Sequence, residues 1–335
     1  MKKPIRNSLK NPLLKTTSSK ARCKKRVMKK HIIAVARGGL CNRLKCLISS
    51  IRLADKYSML PLLSWPVMRE CGCKFSDLFE NKISEISLGD FQKLENKRTA
   101  EKKHDIVETW RLEPLPGDKI PGGFSQIFCS KTGKNIDCEY GRIPLLIRKN
   151  FLAYVHVLVP QKYVAEEVSK FCKNFDDHTV SVNIRSWADE YSKKRVVLFN
   201  IDNFFAVMDK VDCSNFFVTC DSQEVLDELI YRYGKRILHY PKRTFECDRG
   251  STEGVQDALI DLLLLSKNSK LIATPLSTFS EMAWWFGDCK ANVEVVQPRA
   301  FLFKRVPGLG YSLFWKWHFI VGNERKGILP NFSNN

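Results

Sequence analysis

An arginine closes one of the most apolar runs of the sequence. Arg185 follows the segment TVSVNI, at a position where packing gives no reason for a charge. A guanidinium there can hold two oxygens of a diphosphate at once. The alternative is a salt bridge to the nearby Asp189 or Glu190. Arg185 therefore indicates either an anion site or a local ion pair.

Three hydroxyl side chains open a predicted helix after another apolar run. Ser277, Thr278 and Ser280 follow the segment LIATPL, where the first backbone N–H groups and the positive end of the helix dipole attract phosphate oxygens. The alternative is that Ser277 is simply the N-cap of this helix. Taken with Arg185, the segment is a second candidate for contact with a diphosphate.

Two aspartates lie on one face of a strongly apolar predicted helix. Asp257 and Asp261 are four residues apart in VQDALIDLLLLS, a spacing that places both on the same side. Asp261 is flanked by leucines, and an acid in such a stripe needs a partner or a ligand. One such ligand is a guanine ring, whose N1–H and N2–H2 donors a carboxylate can accept as a pair.

The motifs of several cofactor classes are missing. Gly38 and Gly39 follow the first predicted strand and allow the chain to approach a ligand or the opposite lobe closely, but they do not form the GxGxxG pattern, which disfavours a nicotinamide cofactor. The sequence has no D-x-D, P-loop or HExxH motif, so nothing calls for a metal. Cys71-Gly-Cys73 has neither the CxxC redox spacing nor a second pair for zinc, and the cysteines are predicted to be reduced.

The elements that position these residues are easiest to read in the second half of the chain. Strands and helices alternate there with short connections, which predicts a parallel, Rossmann-like sheet whose ligands bind at the carboxyl ends of the strands. The loop that holds Asp221 lies at one such end. The predicted strands are Thr179–Ile184, Asn215–Thr219, Arg236–Tyr240, Lys270–Thr274 and Val293–Val296, and the predicted helices are Ile201–Val211, Gln223–Tyr233, Thr252–Leu265 and Thr278–Phe286.

The first half of the chain is less regular. A strand at His31–Ala36 is followed by the glycine turn and a helix, and further strands are predicted at Pro61–Trp65 and Ile83–Leu88. Residues 90–150 contain charged and Pro/Gly-rich stretches typical of long surface loops. From Pro160 the pattern predicts a helix that bridges the two halves.

The formal net charge of +19 suggests a nucleic-acid-binding protein until it is located along the chain. Residues 1–30 hold 12 Lys or Arg and no acid, which leaves +7 for the other 305 residues. This stretch reads as a flexible basic arm and a candidate contact for anionic surfaces. Binding of nucleic acid through the arm is therefore the alternative function. No signal peptide or membrane span is recognised, so a cytoplasmic protein is expected.

Three segments together resemble the fucosyltransferase-like glycosyltransferases of the GT-B fold, a group that includes nodulation and core α1,6-fucosyltransferases and protein O-fucosyltransferases. GGLCNRLKCLISSIRLADKY is similar to the family's opening turn and helix, VNIRSWADE to its H-x-R-R motif, and DLLLLSKNSKLIATPLSTFSEMAWW to its late D-x-x-x-L-S segment. The resemblance implies two Rossmann-like domains facing each other across a cleft. It also implies inverting, metal-independent transfer of a sugar, fucose in this family, from a GDP-sugar to a hydroxyl of a glycan acceptor, with no cofactor.

The resemblance also implies roles for individual residues. Arg185 would bind the β-phosphate and stabilise the departing GDP, while Asp261 would recognise guanine. Asn183 and Ser186 stand where the family motif has His and the second Arg, and Cys41 stands where the opening turn has Gly. The catalytic candidates are Arg185, Asp189 and Glu190, the last two as alternative general bases. The donor-binding candidates are Gly38, Gly39, Asn42, Arg43, Asn183, Asp221, Asp261, Ser277, Thr278 and Ser280, of which Asn42 and Arg43 would line the cleft from the first lobe.

The same resemblance divides the chain into four parts. After the arm at 1–30, residues 31–160 are expected to form the acceptor-side domain and residues 161–300 the nucleotide-sugar-binding domain. Residues 301–335 would form a tail that packs back on the first domain.

Overall fold

The computed structural model describes most of the predicted body of the protein. The predicted basic arm at 1–30 and the predicted tail at 301–335 lie outside the described residues. The described ranges are 31–56, 58–93, 107–108, 124–128, 140, 145–186, 199–244, 248–275 and 277–296.

The first lobe is built on a parallel sheet of four described strands. The buried strand β1 lies between β2 and β4, and β3 flanks β4, in the order β2-β1-β4-β3. Helix α1 follows β1 through the glycine turn and packs on this sheet with its buried leucines and isoleucines. The elements of the lobe are β1 (His31–Val35), α1 (Leu40–Lys56), β2 (Leu60–Ser64), α2 (residues 88–93), β3 (Val107–Glu108), β4 (Phe124–Phe128) and α3 (Leu145–Val155).

The predicted strand at Ile83–Leu88 is wrong. This segment meets β2 through a single parallel bridge between Glu85 and Leu63, with the Leu63 amide donating to Ser84 and the Ile86 amide donating to Leu63, both at 2.9 Å. None of its side chains is fully buried. Its alternating polarity marks a half-exposed edge segment, and the place beside β1 is taken by β4 from the region read as loops.

The second lobe follows the sequence prediction closely. Its five described strands form a parallel sheet in the order β7-β6-β5-β8-β9, as in a Rossmann fold. Only β7 is clearly shorter than predicted. The elements are α4 (Lys162–Phe171), β5 (Val180–Ile184), α5 (Ile201–Met208), β6 (Phe216–Cys220), α6 (Gln223–Tyr233), β7 (Ile237–Leu238), α7 (Thr252–Leu265), β8 (Lys270–Ala273), α8 (Thr278–Phe286) and β9 (Asn292–Val295).

Polar caps explain why the helices of the second lobe were readable. The residue before each of α5, α6, α7 and α8 accepts a hydrogen bond from a backbone N–H of the first turn, which satisfies one of the donors that a helix leaves open. The four capping residues are Asn200, Ser222, Ser251 and Ser277.

The two lobes share a continuous apolar core. Helices α1 and α3 of the first lobe pack against α8 of the second. The rings of Phe151 in α3 and Trp285 in α8 lie 4.8 Å apart. At the start of α4, Gln161 donates to the first-lobe carbonyl of Ser76 at 2.7 Å, whereas Phe171 at its end packs on Phe217 of β6. Helix α4 therefore contacts both lobes.

One loop contact between the lobes requires glycine. The Gly72 amide donates to the Arg249 carbonyl at 2.7 Å. A Cβ at Gly72 would lie 2.0 Å from the Gly250 carbonyl oxygen, far inside van der Waals contact. The flanking Cys71 and Cys73 are buried and have no disulfide partner. The segment Cys71-Gly-Cys73 therefore serves to pack the first lobe closely against the loop at Gly250. No helix within the described ranges has the length and apolar character needed to cross a bilayer.

Candidate functional site

The register of the second sheet brings three polar residues to one edge. Strands β5, β6 and β8 are paired in parallel and end at nearly the same level. The residue that follows β5 is Arg185, the one that follows β6 is Asp221, and the one that follows β8 is Thr274. The carboxyl edge of this sheet is therefore the candidate site.

Arg185 pairs with the acid that follows the neighbouring strand. Its Nη1 lies 2.6 Å from Oδ2 of Asp221, with 15% of the arginine side chain and 8% of the aspartate side chain exposed. Oδ1 of Asp221 accepts from the Ser186 amide at 2.7 Å and from its hydroxyl at 2.8 Å. Asp221 therefore orients both residues of the Arg-Ser segment. The alternative partners Asp189 and Glu190 lie outside the described residues.

Thr274 fixes the backbone at the same edge. Its hydroxyl accepts from the Arg185 amide at 2.8 Å and donates to the Asn183 carbonyl at 2.8 Å. Thr274 ends a predicted strand, where a ligand is expected to bind, although it is not among the named donor-binding candidates. The available signal was its position as the first polar residue after β8.

Asn183 is the centre of a buried hydroxyl network. Its side-chain amide donates to Thr219 at 2.9 Å, and its Oδ1 accepts from Ser277 at 3.1 Å and from Ser280 at 2.7 Å. Ser280 is fully buried and Asn183 is 6% exposed. These groups tie the start of α8 to the end of β5. Asn183 and Ser280 therefore support the site from inside rather than facing open solvent.

Ser277 has the capping role that the sequence left as an alternative. Its hydroxyl oxygen accepts from the Ser280 amide at 3.4 Å. The next two residues, Thr278 and Phe279, carry the first N–H groups of α8, which point out of the helix end together with its positive dipole. An anion at this end would meet these amides and the half-buried Thr278.

Asp261 lies at the closed end of a pocket beside β6 and β7. Its Oδ2 is 3.1 Å from Nζ of Lys242, and the two side chains are 5% and 13% exposed. The pocket continues into an open cavity of about 280 Å³, and Leu226, His239 and Lys242 line both parts. Lys242 follows a predicted strand, where a ligand is expected to bind, but its pairing with Asp261, 19 residues away, is not visible in the sequence. The acid among leucines thus has a partner, and it lines a small pocket of about 10 Å³ next to the larger cavity, which it does not line itself.

Asp257, one helical turn earlier, has a different environment. It is fully buried, and Arg243 donates to it from its amide at 2.7 Å and from Nε at 2.8 Å. The Arg243 guanidinium also lies 4.9 Å from the centre of the Tyr163 ring. Asp257 does not line the pocket, so it holds the loop after β7 in place.

The side chain of Arg43 holds the glycine turn of the first lobe in place. Gly38 has a φ of +77°, a conformation that favours glycine. Arg43 donates from Nε to the Gly38 carbonyl and from Nη1 to the Pro66 carbonyl, each at 2.7 Å, and its guanidinium lies 5.1 Å from the Trp65 ring centre. Arg43 is fully buried, so its predicted place on the cleft wall is corrected to support beneath the turn. The half-buried Asn42 lies against Gly38.

Cys41 is the second residue of α1 and has a helical backbone where the family motif has glycine. Burial, and next the nearby Glu281 carboxylate, raise the pKa of its thiol far above the ordinary range. This cysteine is therefore a protonated packing residue. Among the residues that the structure describes, no three His, Cys, Asp or Glu side chains are grouped closely enough to hold a metal ion.

Comparison with known proteins shows that the fold is similar to that of several solved structures. No family model and no curated protein matches the sequence, but solved structures match the fold. NodZ from Bradyrhizobium has 15% identity and a TM-score of 0.51 over 76% of this chain and 92% of that chain. NodZ α1,6-fucosyltransferase soaked with GDP-fucose has 15% identity and a TM-score of 0.51 over 77% of this chain and 92% of that chain. A mutant of Arabidopsis thaliana FUT1 in complex with GDP has 16% identity and a TM-score of 0.50 over 80% of this chain and 70% of that chain.

The chain has the fold of these fucosyltransferases. The resemblance noted in the three sequence segments is thus confirmed for the fold, as is the prediction of an α/β protein with two facing parallel sheets in the GT-B arrangement. At 15–16% identity the likeness concerns architecture. The roles of individual residues rest on their contacts in this chain.

Proposed function

We propose that this protein is a glycosyltransferase that moves a sugar, fucose in the first instance, from a GDP-sugar to a hydroxyl of a glycan acceptor. The observation that carries the proposal is the common location of Arg185, the start of α8 and the Asp261 pocket at the carboxyl edge of one sheet. The fold neighbours captured with GDP or GDP-fucose support this choice of donor.

The phosphates would lie between Arg185 and the start of α8. A guanidinium has N–H donors in a planar fork that matches two phosphate oxygens, and the contact with Asp221 at 2.6 Å orients this fork. The first amides of α8 and the helix dipole add a second centre of positive potential. Together they would stabilise the charge that builds up on GDP as it departs, which is the principal electrostatic demand of the reaction.

The base would lie in the open cavity of about 280 Å³ that Lys242 lines, with its Watson–Crick edge directed at Lys242 and at Asp261 in the small adjoining pocket. The Watson–Crick edge of guanine presents an acceptor, O6, beside two donors, N1–H and N2–H2. Lys242 supplies a donor, and the Asp261 carboxylate 3.1 Å away supplies two acceptor oxygens. Uracil and adenine lack two adjacent donors, so they would leave one carboxylate oxygen unpaired. The pair therefore selects guanine.

The transfer would be a single displacement with inversion at the anomeric carbon. The acceptor oxygen forms the new C–O bond, the bond to the β-phosphate oxygen breaks, and the acceptor proton moves to a carboxylate. Asp189 and Glu190 follow Arg185 in the chain and are the proposed alternative bases. Arg185 and the helix end would carry the leaving-group charge without a metal.

A thermal-shift series with GDP, UDP and dTDP and their fucose derivatives tests the donor assignment. A bound ligand raises the melting temperature, so GDP and GDP-fucose should give the largest increase. Arg185→Ala should lose that increase, whereas Lys93→Ala, at an exposed ion pair of the first lobe, should keep it. An Arg185→Ala protein that is folded and retains full GDP-fucose turnover would rule the proposal out.

Treatment with EDTA tests the proposed metal independence. Turnover of GDP-fucose should be the same before and after the chelator and should not rise on addition of Mn²⁺. Loss of turnover with EDTA and recovery with Mn²⁺ would contradict the assignment of leaving-group stabilisation to Arg185 and α8.

A further inference from the structure

A lysine of the first lobe and a glutamate of the second form an ion pair in the interior of the protein. Nζ of Lys45 lies 2.5 Å from Oε2 of Glu281, with 1% and 0% of the two side chains exposed. The other carboxylate oxygen accepts from the indole N–H of Trp285 at 3.4 Å. The pair joins helix α1 to helix α8 at their packed interface.

The position of the pair relates it to the proposed donor site. Lys45 is the sixth residue of α1, the helix that follows the turn at Gly38, and Glu281 is the fourth residue of α8. Glu281 also acts on the beginning of α1, because its carboxylate contributes, after burial, to the raised pKa of Cys41. The ion pair therefore connects the second turn of α1, the helix after the glycine turn, to the beginning of α8, the helix whose start is part of the proposed phosphate site.

Stability alone does not explain a pair of this kind. Removing two charges from water is costly, and well-packed apolar side chains of similar size replace buried ion pairs with little or no loss of stability. The surroundings here are apolar, with the rings of Phe151 and Trp285 in contact across the same interface. An apolar pair would seal this interface but would tolerate sliding of α1 along α8. A charge pair defines one register.

We propose that Lys45 and Glu281 are positioning residues that set the start of α8 relative to the glycine turn across the lobes. The inference rests on the proposed function, since it concerns the geometry of the same donor site. The start of α8 is then held from two directions. Within its own lobe the hydroxyls of Ser277 and Ser280 donate to Asn183, and from the opposite lobe Lys45 holds Glu281.

The test compares three double variants of the full chain. Lys45→Met/Glu281→Met removes the pair and keeps the interface apolar. Lys45→Glu/Glu281→Lys reverses the pair with the same combined length. Lys270→Met/Glu294→Met removes a partly exposed lysine–glutamate pair whose lysine lies at the opposite end of β8 from the site. For each protein we would measure the melting temperature, the GDP affinity by calorimetry, and kcat and KM for donor and acceptor.

The expected result separates stability from positioning. The apolar variant should stay folded but bind GDP about tenfold more weakly and lose roughly tenfold to hundredfold in kcat/KM for the donor, because misplacement by about 1 Å has effects of that size. Its KM for the acceptor should change little. The reversed pair should recover most of the GDP affinity, and the Lys270/Glu294 control should equal the wild type.

Several outcomes would overturn the inference. An apolar variant that is folded and binds GDP like the wild type would show that the register does not depend on the pair. An apolar variant that does not fold would assign the pair to stability. A reversed pair that is folded yet as weak as the apolar variant would assign the loss to altered packing. Absence of GDP binding by the wild type would instead refute the proposed function itself.

Discussion

Replacement of Asp261 by Asn tests the base-recognition hypothesis most directly. The Asp261 carboxylate is 5% exposed and lies 3.1 Å from Lys242 in the pocket. A carboxylate can accept from both N1–H and N2–H2 of guanine. An asparagine keeps one oxygen for N1–H but turns its own NH2 toward the guanine amino group. The substitution therefore removes one hydrogen bond to a charged acceptor and sets two donors against each other.

The size of the effect follows from these two losses. A hydrogen bond to a charged group contributes about 1.5–3 kcal/mol, and an unsatisfied buried donor costs about 1–3 kcal/mol. The sum, about 2.5–6 kcal/mol, corresponds to GDP binding that is weaker by roughly a factor of 10² to 10⁴. Xanthine carries a carbonyl oxygen in place of the amino group, and this oxygen can accept from the asparagine NH2. Xanthosine diphosphate should therefore bind the variant better than GDP does.

Asp257→Asn is the matched control on the same helix. Asp257 is fully buried and paired with Arg243, but it does not line the pocket. Both substitutions leave a cation without its acid, so both should lower the melting temperature. Calorimetry should show that only Asp261→Asn reverses the preference between the two diphosphates. A folded Asp261→Asn protein with the wild-type preference, or an equal change in the control, would refute the reasoning.

Three further predictions concern other parts of the structure. Arg185→Lys keeps the charge but loses the planar fork, so calorimetry should show GDP binding weakened at least about tenfold; unchanged affinity would contradict a phosphate contact. Gly72→Ala should lower the melting temperature by about 5 °C or more because its Cβ meets the opposite lobe at 2.0 Å, whereas Gly89→Ala should have little effect. The Arg232 guanidinium lowers the pKa of Asp209, so their contact stabilises the fold above the unfolded-state pKa of the aspartate and is lost as the pH falls. Asp209→Asn should therefore flatten the decline in melting temperature between about pH 5 and pH 2. A decline in the variant that is parallel to that of the wild type would count against this contact.

The second lobe could be predicted from the sequence because its signals are local. Helices α5 to α8 each begin at a polar cap, and strands β5, β6 and β8 are short, largely buried runs, so the hydrophobic period and the helix-start signals agree. The first lobe contains a counterexample. Ile83–Leu88 has the alternating polarity of a strand, yet it forms one bridge to β2. Which segment pairs with β1 depends on competition among distant segments, and β4 fills that place.

The candidate site shows the same division between local and distant information. The cap at Ser277 is visible within four residues. The partner of Arg185 is not, because Asp221 lies 36 residues away and meets it only through the register of β5 and β6. Lys45 and Glu281 are separated by 236 residues. The sequence therefore identified residues whose side chains could bind a ligand or take part in catalysis. The partners of these side chains follow from the order of the strands and from the packing of the two lobes.

The placement of charge now favours a small anionic ligand over a nucleic acid for the described body. Nucleic acids bind surfaces on which many lysines and arginines face the solvent and release counterions. Two cations that the structure describes at the candidate site are largely buried and paired with an acid: Arg185 with Asp221, and Lys242 with Asp261. Such pairs give little long-range field, but they place donors and acceptors at fixed points. That arrangement suits a short ligand that carries a charged group at one end and a hydrogen-bonding edge at the other, as a nucleoside diphosphate does. The 12 basic residues of positions 1–30 account for most of the formal net charge of +19.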